Sequence, residues 1–568
     1  MNIINWIKKF KVLVITVLVV IISWVFVSFR DDSFEIAKNL DIFYSLFKET
    51  NIYYVDETDP GKLIKTGIDA MLKSLDPYTN YIPESQIEDY RFMTTGQYGG
   101  VGAIIRKSGD FVIIEEIYED SPAMKAGLKA GDIIIEVNDQ TIKNKNIDDI
   151  SEALKGQPNT TVNVLLKRPG ENDRFIKSIV REEVKIKSVP HFMMLNNETG
   201  YIKLNSFTEK AGQDVKDALL NLKKNPGLNS VIIDLRGNPG GLLIEAVNIV
   251  NLFVGKGKEV VSTKGKIKEL DRTYLATNNP VDTTISLAIL VNSGSASASE
   301  IVSGAIQDLD RGVIIGQRTF GKGLVQATRD LSYNAKLKIT TAKYYVPSGR
   351  CIQALDYSHR RDDGSVGKIP DSLVTEFKTR NGRKVYDGGG ISPDLITKPV
   401  PLSQIAISLL TKSLIFDYAT EYCLKHQTIP PADKFEFSDN DYDDFINFLS
   451  GKQYDYESKS EDILDKLKEI AKKERYFDMA ENEFEALHKK IAHDKQKDLQ
   501  SFRQEIKELI SEEIVGRYYY QKGAIEYSFS YDPEIKRATE ILKNRKEYNL
   551  LLTDITKKID DREPDNDD

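Results

Sequence analysis

Between residues 185 and 400 the chain alternates strand-like runs with segments of helical period, and this alternation constrains the fold more than any other feature. "GYIKLNSF" is followed by "EKAGQDVKDALLNLKK", then "SVIIDLRG", "LLIEAVNIVNLFV", "LAILVN" and "IVSGAIQDL". Strand, helix, strand in that order predicts an α/β unit with strand–helix crossovers. The unbroken apolar run of "LAILVN" marks a buried strand.

The rest of the chain divides by pattern. With 568 residues and 40% hydrophobic content, it can bury several cores, so three or more globular units are expected behind a targeting segment. Residues 1–30 hold "NWIKKFK" and then the uncharged stretch 12–29, "VLVITVLVVIISWVFVSF", close to the minimum length of a spanning helix. With no Ala-x-Ala-like cleavage site, an uncleaved signal anchor is expected rather than a cleaved signal peptide. Lys8, Lys9 and Lys11 keep the N-terminus cytoplasmic, so everything after Arg30 would lie on the extracytoplasmic (periplasmic) side of the inner membrane. Residues 31–96 read as helical around the turn "LDPYTNYIPES", and 97–184 as strand-rich, from the alternation in "DFVIIEEIYED" and "TTVNVLLKRPG". Residues 401–568 are charged and helical, a C-terminal extension open to dimerisation, adaptor docking or simple capping. The net charge of −8, with both signs interspersed, leaves no nucleic-acid footprint. Two distant cysteines, Cys351 and Cys423, exclude a disulfide framework and a cysteine-rich metal site; no metal or cofactor is expected.

Within the strand-rich segment, "QYGGVGAII" puts three glycines at the start of a strand. "DSPAMKAGLKAGDIIIEVN" then offers Pro122 for the first turn of a short helix and Gly127 for its C-terminal cap. Together these resemble a PDZ domain of the bacterial protease-associated kind. The resemblance implies that the backbone N–H groups of Gly100, Val101, Gly102 and Ala103 receive a peptide's terminal carboxylate while the peptide adds as a strand.

The chemistry points to serine. "NSGSASASEI" lies between the strand "LAILVN" and a helix, where Ser297 with Glu300 has the form of a capping box. The same junction suits a nucleophile whose neighbouring N–H supports an oxyanion. A serine needs a base. The five histidines are His191, His359, His426, His488 and His493, and none falls between residues 192 and 358. Lysine is the alternative when burial keeps it neutral. Lys322, between glycines in "GQRTFGKGLVQ", is the candidate, with Gln326 four residues on. "SVIIDLRGNPGGLL" adds a tight turn between strand and helix whose N–H groups can bind an anion or oxyanion.

The set "DLRGNPGG", "SGSASASEI", "GQRTFGKGLVQ", "TTAKYYVPSGRCIQ" and "GGGISPD", in this order behind a PDZ-like segment, resembles the C-terminal processing peptidases, or tail-specific proteases, over roughly residues 33–400. The resemblance implies an α+β multidomain protein whose 185–400 region is a serine protease core of the crotonase/ClpP-like type. It implies Ser297 as nucleophile, Lys322 as base, Gln326 as the residue that orients the lysine, and the N–H groups of Gly241 and Ala298 as the oxyanion hole. The substrate would be a protein with an accessible C-terminus. An inactive membrane-tethered PDZ adaptor is the rival from another class, and the intact Ser297, Lys322 and Gln326 favour the protease. An insertion over residues 358–387 departs from the family pattern and is expected to form a lid or partner surface.

Overall fold

The computed structural model of the protein describes residues 30–553 apart from 362, 457, 458, 492 and 493. The expected anchor at 12–29 lies outside the described residues, and among those described no helix is long and apolar enough to cross a membrane. The chain up to Tyr81 forms one unit and the chain from Ile82 onward another. In the first, α1 (Arg30–Tyr53) and α2 (Pro60–Lys73) realise the helical period. Asp59 caps α2 by accepting from the Lys62 N–H at 3.0 Å. In the "LDPYTNY" turn, Asp76 accepts from the N–H groups of Tyr78 and Thr79, both at 2.8 Å.

The second unit opens with the strand-rich segment. Strand β1 (Gln97–Gly100) leads into an antiparallel sheet of β2 (Ala103–Ser108), β3 (Phe111–Ile117), β4 (Ile133–Val137), β5 (Thr161–Lys167) and β6 (Arg174–Val180), paired in that order. Two helices cross it, α3 (Pro122–Lys125) and α4 (Ile147–Leu154). The short helix is capped as its sequence requires: Ser121 accepts from Met124 N–H at 3.3 Å, and Gly127 follows its end at φ +74°. β7 (Glu182–Lys185) returns to pair with β1. This brings the end of the segment back beside its beginning.

The α/β region forms a six-stranded sheet. Its strands are β8 (His191–Met194), β9 (Thr199–Lys203), β10 (Ser230–Asp234), β11 (Ser286–Val291), β12 (Val313–Gly316) and β15 (Leu395–Ile396), in that spatial order. β8 and β9 are antiparallel; every other pair is parallel. The crossovers carry α5 (Ala211–Leu222), α6 (Leu243–Asn251) and α7 (Ala298–Asp308). Between β12 and β15 runs a hairpin of β13 (Leu324–Asp330) and β14 (Lys336–Tyr345). Side chains alternate across the sheet, as the pleat demands. Val231, Ile233, Leu287 and Ile289 join the core shared with α5, α6 and α7, whereas Ile232, Ala288 and Leu290 face the other way.

That other face is covered from the far end of the chain. After α8 (Gln404–Thr411), α9 (Leu414–Lys425), α10 (Asp439–Phe448) and α11 (Arg503–Ser528) come α12 (Pro533–Lys543) and α13 (Arg545–Thr553). Ile535, Ala538, Ile541, Leu542 and Tyr548 pack onto Tyr201, Ile232, Ala288, Leu290, Val313 and Ile315. The Tyr548 hydroxyl accepts from the Leu287 N–H at 2.9 Å and donates to the Leu287 carbonyl at 3.2 Å. A parallel sheet of apolar strands needs both faces covered. The extension from residue 401 therefore divides: α8 to α11 build a core of their own around Leu409, Tyr418, Phe445 and Ile510, while α12 and α13 complete the six-stranded sheet. Part of the 358–387 insertion is also bound down, because Arg383 is buried in ion pairs with Asp310 and Asp394.

Ile541→Ala is expected to cost about 2–5 kcal/mol of stability, as for other fully buried aliphatic truncations. Amide exchange in β11 should then quicken. Unchanged exchange there would mean that the C-terminal helices are not part of the core of the α/β region.

Candidate active site

The strand β11 ends at Val291, and a tight turn delivers Ser297 to the start of α7. Ser297 has φ 55° and ψ −111°, a conformation that costs a non-glycine residue about 1–3 kcal/mol and survives only where surrounding bonds enforce it. Those bonds come from Glu300, which is 0% exposed. Its Oε2 accepts from the N–H of Ser297 at 2.9 Å and from the N–H of Lys322 at 2.8 Å. One oxygen thus holds both residues by their backbones, with the two nitrogens within about 6 Å of each other. Oε1 accepts from the Thr319 hydroxyl at 2.6 Å and the Gly321 N–H at 2.8 Å. The carboxylate half of the expected capping box is present, and it also grips the loop that carries the lysine.

Each remaining motif braces this arrangement. In "GGGISPD", the Ile391 N–H donates to Thr319 Oγ1 at 2.7 Å, fixing the hydroxyl that donates to Glu300. In "SGRCIQ", Gln353 Oε1 accepts from the N–H of Gly323, next to Lys322, at 2.8 Å. In "TTAKYY", buried Tyr344 donates its hydroxyl to the Ser297 carbonyl at 3.2 Å. Gln326 lies on β13 beside a bulge, and its Nε2 donates to Thr340 Oγ1 at 3.1 Å. With that donor engaged, its carbonyl oxygen is left as an acceptor on the strand that continues from Lys322.

The "NPGG" turn is tied to the serine turn through Asn238. Its carbonyl accepts from the Ala296 N–H at 3.0 Å and the Ser299 hydroxyl at 2.9 Å, and its side chain accepts from the Gly240 N–H at 2.9 Å. Ser295, also buried, donates to the Leu235 carbonyl at 2.8 Å. Ser295 and Ser299 are therefore more than the small packing residues their motif suggests: both stitch one turn to the other. Gly240, at φ +102°, shows why glycine is required here. A Cβ would stand 2.7 Å from the Ala296 carbonyl and 2.9 Å from both the Ala298 nitrogen and Ser297 Cβ. The next residue, Gly241, is exposed and bridges to Phe207. Among the described residues no hydrogen bond uses the N–H of Gly241, and the Ala298 N–H is one of the donors that a helix start leaves open.

No described histidine is bonded to Ser297. Burial, helped by Lys522, pushes the His191 ring down to about 4, so it is neutral beside Glu526 and stacked on Phe529. His359 is exposed and bonded to Asp356, and His426 sits against the Tyr422 carbonyl. His493 lies outside the described residues.

In the PDZ-like segment, Gly100, Val101, Gly102 and Ala103 form the link between β1 and β2. The Val101 and Gly102 carbonyls accept from Ala123 N–H at 2.8 Å and Tyr118 N–H at 3.0 Å. Gly102, at φ +77°, would place a Cβ 2.3 Å from Ser121 Cβ. Tyr98 lies against Gly100; burial pushes its hydroxyl up to about 12, while the Gly102 N–H pulls the other way.

A serine turn gripped to a lysine loop, beside a glycine turn with an open N–H and behind a PDZ-like fold, defines the class as a serine peptidase with a PDZ domain. Three family profiles agree: Peptidase family S41 over residues 198–358, PDZ domain over 113–168, and "Probable PDZ-protease, C-terminal helical domain" over 405–542. The chain is 32% identical over 470 residues to "Probable CtpA-like serine protease" of Staphylococcus aureus (strain COL), covering 81% of this chain and 91% of that one. It is 35% identical over 353 residues to "Carboxy-terminal-processing protease" of Bartonella bacilliformis, covering 62% and 78%. Among solved structures, "Photosystem II D1 C-terminal processing protease" matches at 28% identity with a TM-score of 0.35, over 64% of this chain and 93% of that one. The chain belongs to the carboxy-terminal-processing serine proteases of Peptidase family S41.

The Glu300 carboxyl is pushed up to about 7 by burial, against the four hydrogen bonds it accepts. Those four donors suit the ionised form, and a proton on either oxygen displaces one of them. Activity should therefore fall as pH drops through about 7, by about tenfold per pH unit. Glu300→Gln should lack that limb and be slower at alkaline pH. The check is the pH profile of kcat/KM for both proteins; a wild-type profile flat from about pH 6 to about pH 8 contradicts it.

Proposed function

We propose that this protein is a membrane-anchored endopeptidase that binds protein C-termini through its PDZ domain and cleaves them with a Ser297–Lys322 dyad. The observation that carries the reading is the single Glu300 oxygen bonded to the backbone N–H groups of both residues. A buried carboxylate that forces a strained serine against a lysine loop has little structural purpose unless their side chains work together.

Neutral Lys322 takes the proton of Ser297 as Oγ bonds to the substrate carbonyl carbon. The N–H groups of Gly241 and Ala298 hold the oxyanion. The Lys322 ammonium then gives its proton to the amine as the C–N bond breaks, leaving the acyl-enzyme. Water passes a proton to Lys322 and attacks the ester carbon, the C–Oγ bond breaks to release the new C-terminal carboxyl, and the proton returns from Lys322 to Ser297 Oγ. Gln326 holds the amine in line. At the PDZ domain, Gly100, Val101, Gly102 and Ala103 receive the substrate's terminal carboxylate, and the exposed edge of β2 takes its backbone. The apolar stretch 12–29 tethers the enzyme to the cytoplasmic membrane, with its catalytic part outside the cytoplasm.

Hydrolysis of an unfolded protein with an apolar free C-terminus tests this. Ser297→Ala and Lys322→Ala should each lower kcat/KM by at least about 10³-fold while remaining folded, and amidating the substrate's C-terminus should raise KM. Folded variants that retain the wild-type rate would end the dyad assignment, and an unchanged KM would end the role of the PDZ loop.

A further inference from the structure

The turn that carries Gly240 and Gly241 is entered through Arg236, which is held by charged groups near it in sequence and by two acids close to the C-terminal end of the chain. Its N–H donates to Asp234 Oδ1 at 2.9 Å, and its carbonyl accepts from Lys203 Nζ at 2.8 Å. The guanidinium then forks. Nε and Nη2 bind Asp234 at 3.0 and 2.7 Å, while Nη1 reaches Asp532, the N-cap of α12, and Glu534 in its first turn, both at 2.7 Å. Asp234, Asp532 and Glu534 are all largely buried, as is Arg236. Although burial opposes it, Arg236 and Lys203 hold the Asp234 carboxyl well below its usual range.

The two acids on α12 are themselves fixed. Asp532 Oδ1 caps the helix, accepting from the N–H groups of Glu534 and Ile535 at 2.9 and 3.0 Å, and this leaves Oδ2 for Arg236. Glu534 Oε1 accepts from the Thr397 hydroxyl, leaving Oε2 for Arg236. Beyond Arg236 the turn holds Gly237, Gly240 and Gly241 at φ +70°, +102° and +147°. Three such glycines make a soft segment, so its path depends on its anchors. A buried cluster of this kind is weak evidence for added stability and better evidence for a fixed geometry.

Given the function proposed above, we propose that Asp532 and Glu534 are positioning residues for the acylation step: through Arg236, the C-terminal segment sets where the Gly241 N–H stands relative to Ser297. They act on the transition state and not on substrate binding, because they lie outside the PDZ domain and reach the site only through Arg236.

The test compares the full-length chain with Glu534→Gln, Asp532→Asn and their combination. Arg537→Gln, which removes two ion pairs on the same helix away from the turn, to Glu540 and Glu547, is the control. The readouts are kcat and KM for peptide hydrolysis, inhibition by a peptide aldehyde that forms a tetrahedral adduct, and amide exchange of residues 236–241 and 286–291. The expected result for the double variant is a fall in kcat of about 10- to 100-fold, as for a small misplacement of a catalytic group. KM should stay within about twofold, with aldehyde affinity falling alongside kcat. Exchange should quicken at 236–241 and not at 286–291, and the control should match wild type. Quicker exchange in the turn with unchanged kcat overturns the proposal, as does exchange that quickens equally in both segments. If Ser297→Ala leaves hydrolysis intact, the site assignment fails instead, and the exchange data alone still decide whether the two acids hold the turn.

Discussion

The Glu300 carboxylate accepts hydrogen bonds from two stretches of chain twenty-two residues apart, and the geometry of the site depends on them. Taken away, those bonds would leave buried donors unsatisfied at about 1–3 kcal/mol each, and Ser297 would lose the bond that holds its own N–H in the strained conformation. The same carboxylate is costly to bury, which is why its pKa is pushed toward neutrality. The cost is consistent with a residue whose task is to fix two loops in register.

Around that centre the protein is organised as a series of braces. Asn238 joins the glycine turn to the serine turn, Gln353 and Thr319 hold the lysine loop, and Arg236 joins the glycine turn to α12. The sheet that presents all three turns is closed on one face by its own crossover helices and on the other by α12 and α13. Residues 533–553 are thus as much part of the peptidase as those near 230.

Much of this is legible in the sequence because it is local. The caps of α3, the glycine turns, the strand ending in "LAILVN" and the placement of Ser297 at a helix start follow from short-range chemistry, and all are observed. The motifs also contain the bracing residues, since Asn238, Ser295, Ser299, Thr319 and Gln353 all lie inside them. What the pattern could not supply was the partner of each polar group. A capping box and a carboxylate that grips a second loop look identical in the letters S-x-x-E. Nor does any local signal link Arg236 to Glu534, 298 residues away, or show that two amphipathic helices at the end of a charged extension belong on the peptidase sheet. The insertion at 358–387 reads as a lid or a partner surface because it is polar, and no local signal shows that Arg383 within it is buried in ion pairs.

The central claim is that the Ser297 oxygen is made nucleophilic by Lys322. The most direct measurement is covalent labelling of the full-length protein with a peptidyl fluorophosphonate at alkaline pH, followed by mass mapping of the modified residue. The expected result is a single adduct on Ser297, formed at least about 10²-fold more slowly in Lys322→Ala. Labelling of Ser295 or Ser299 instead, or labelling of Ser297 at an unchanged rate without the lysine, would contradict it.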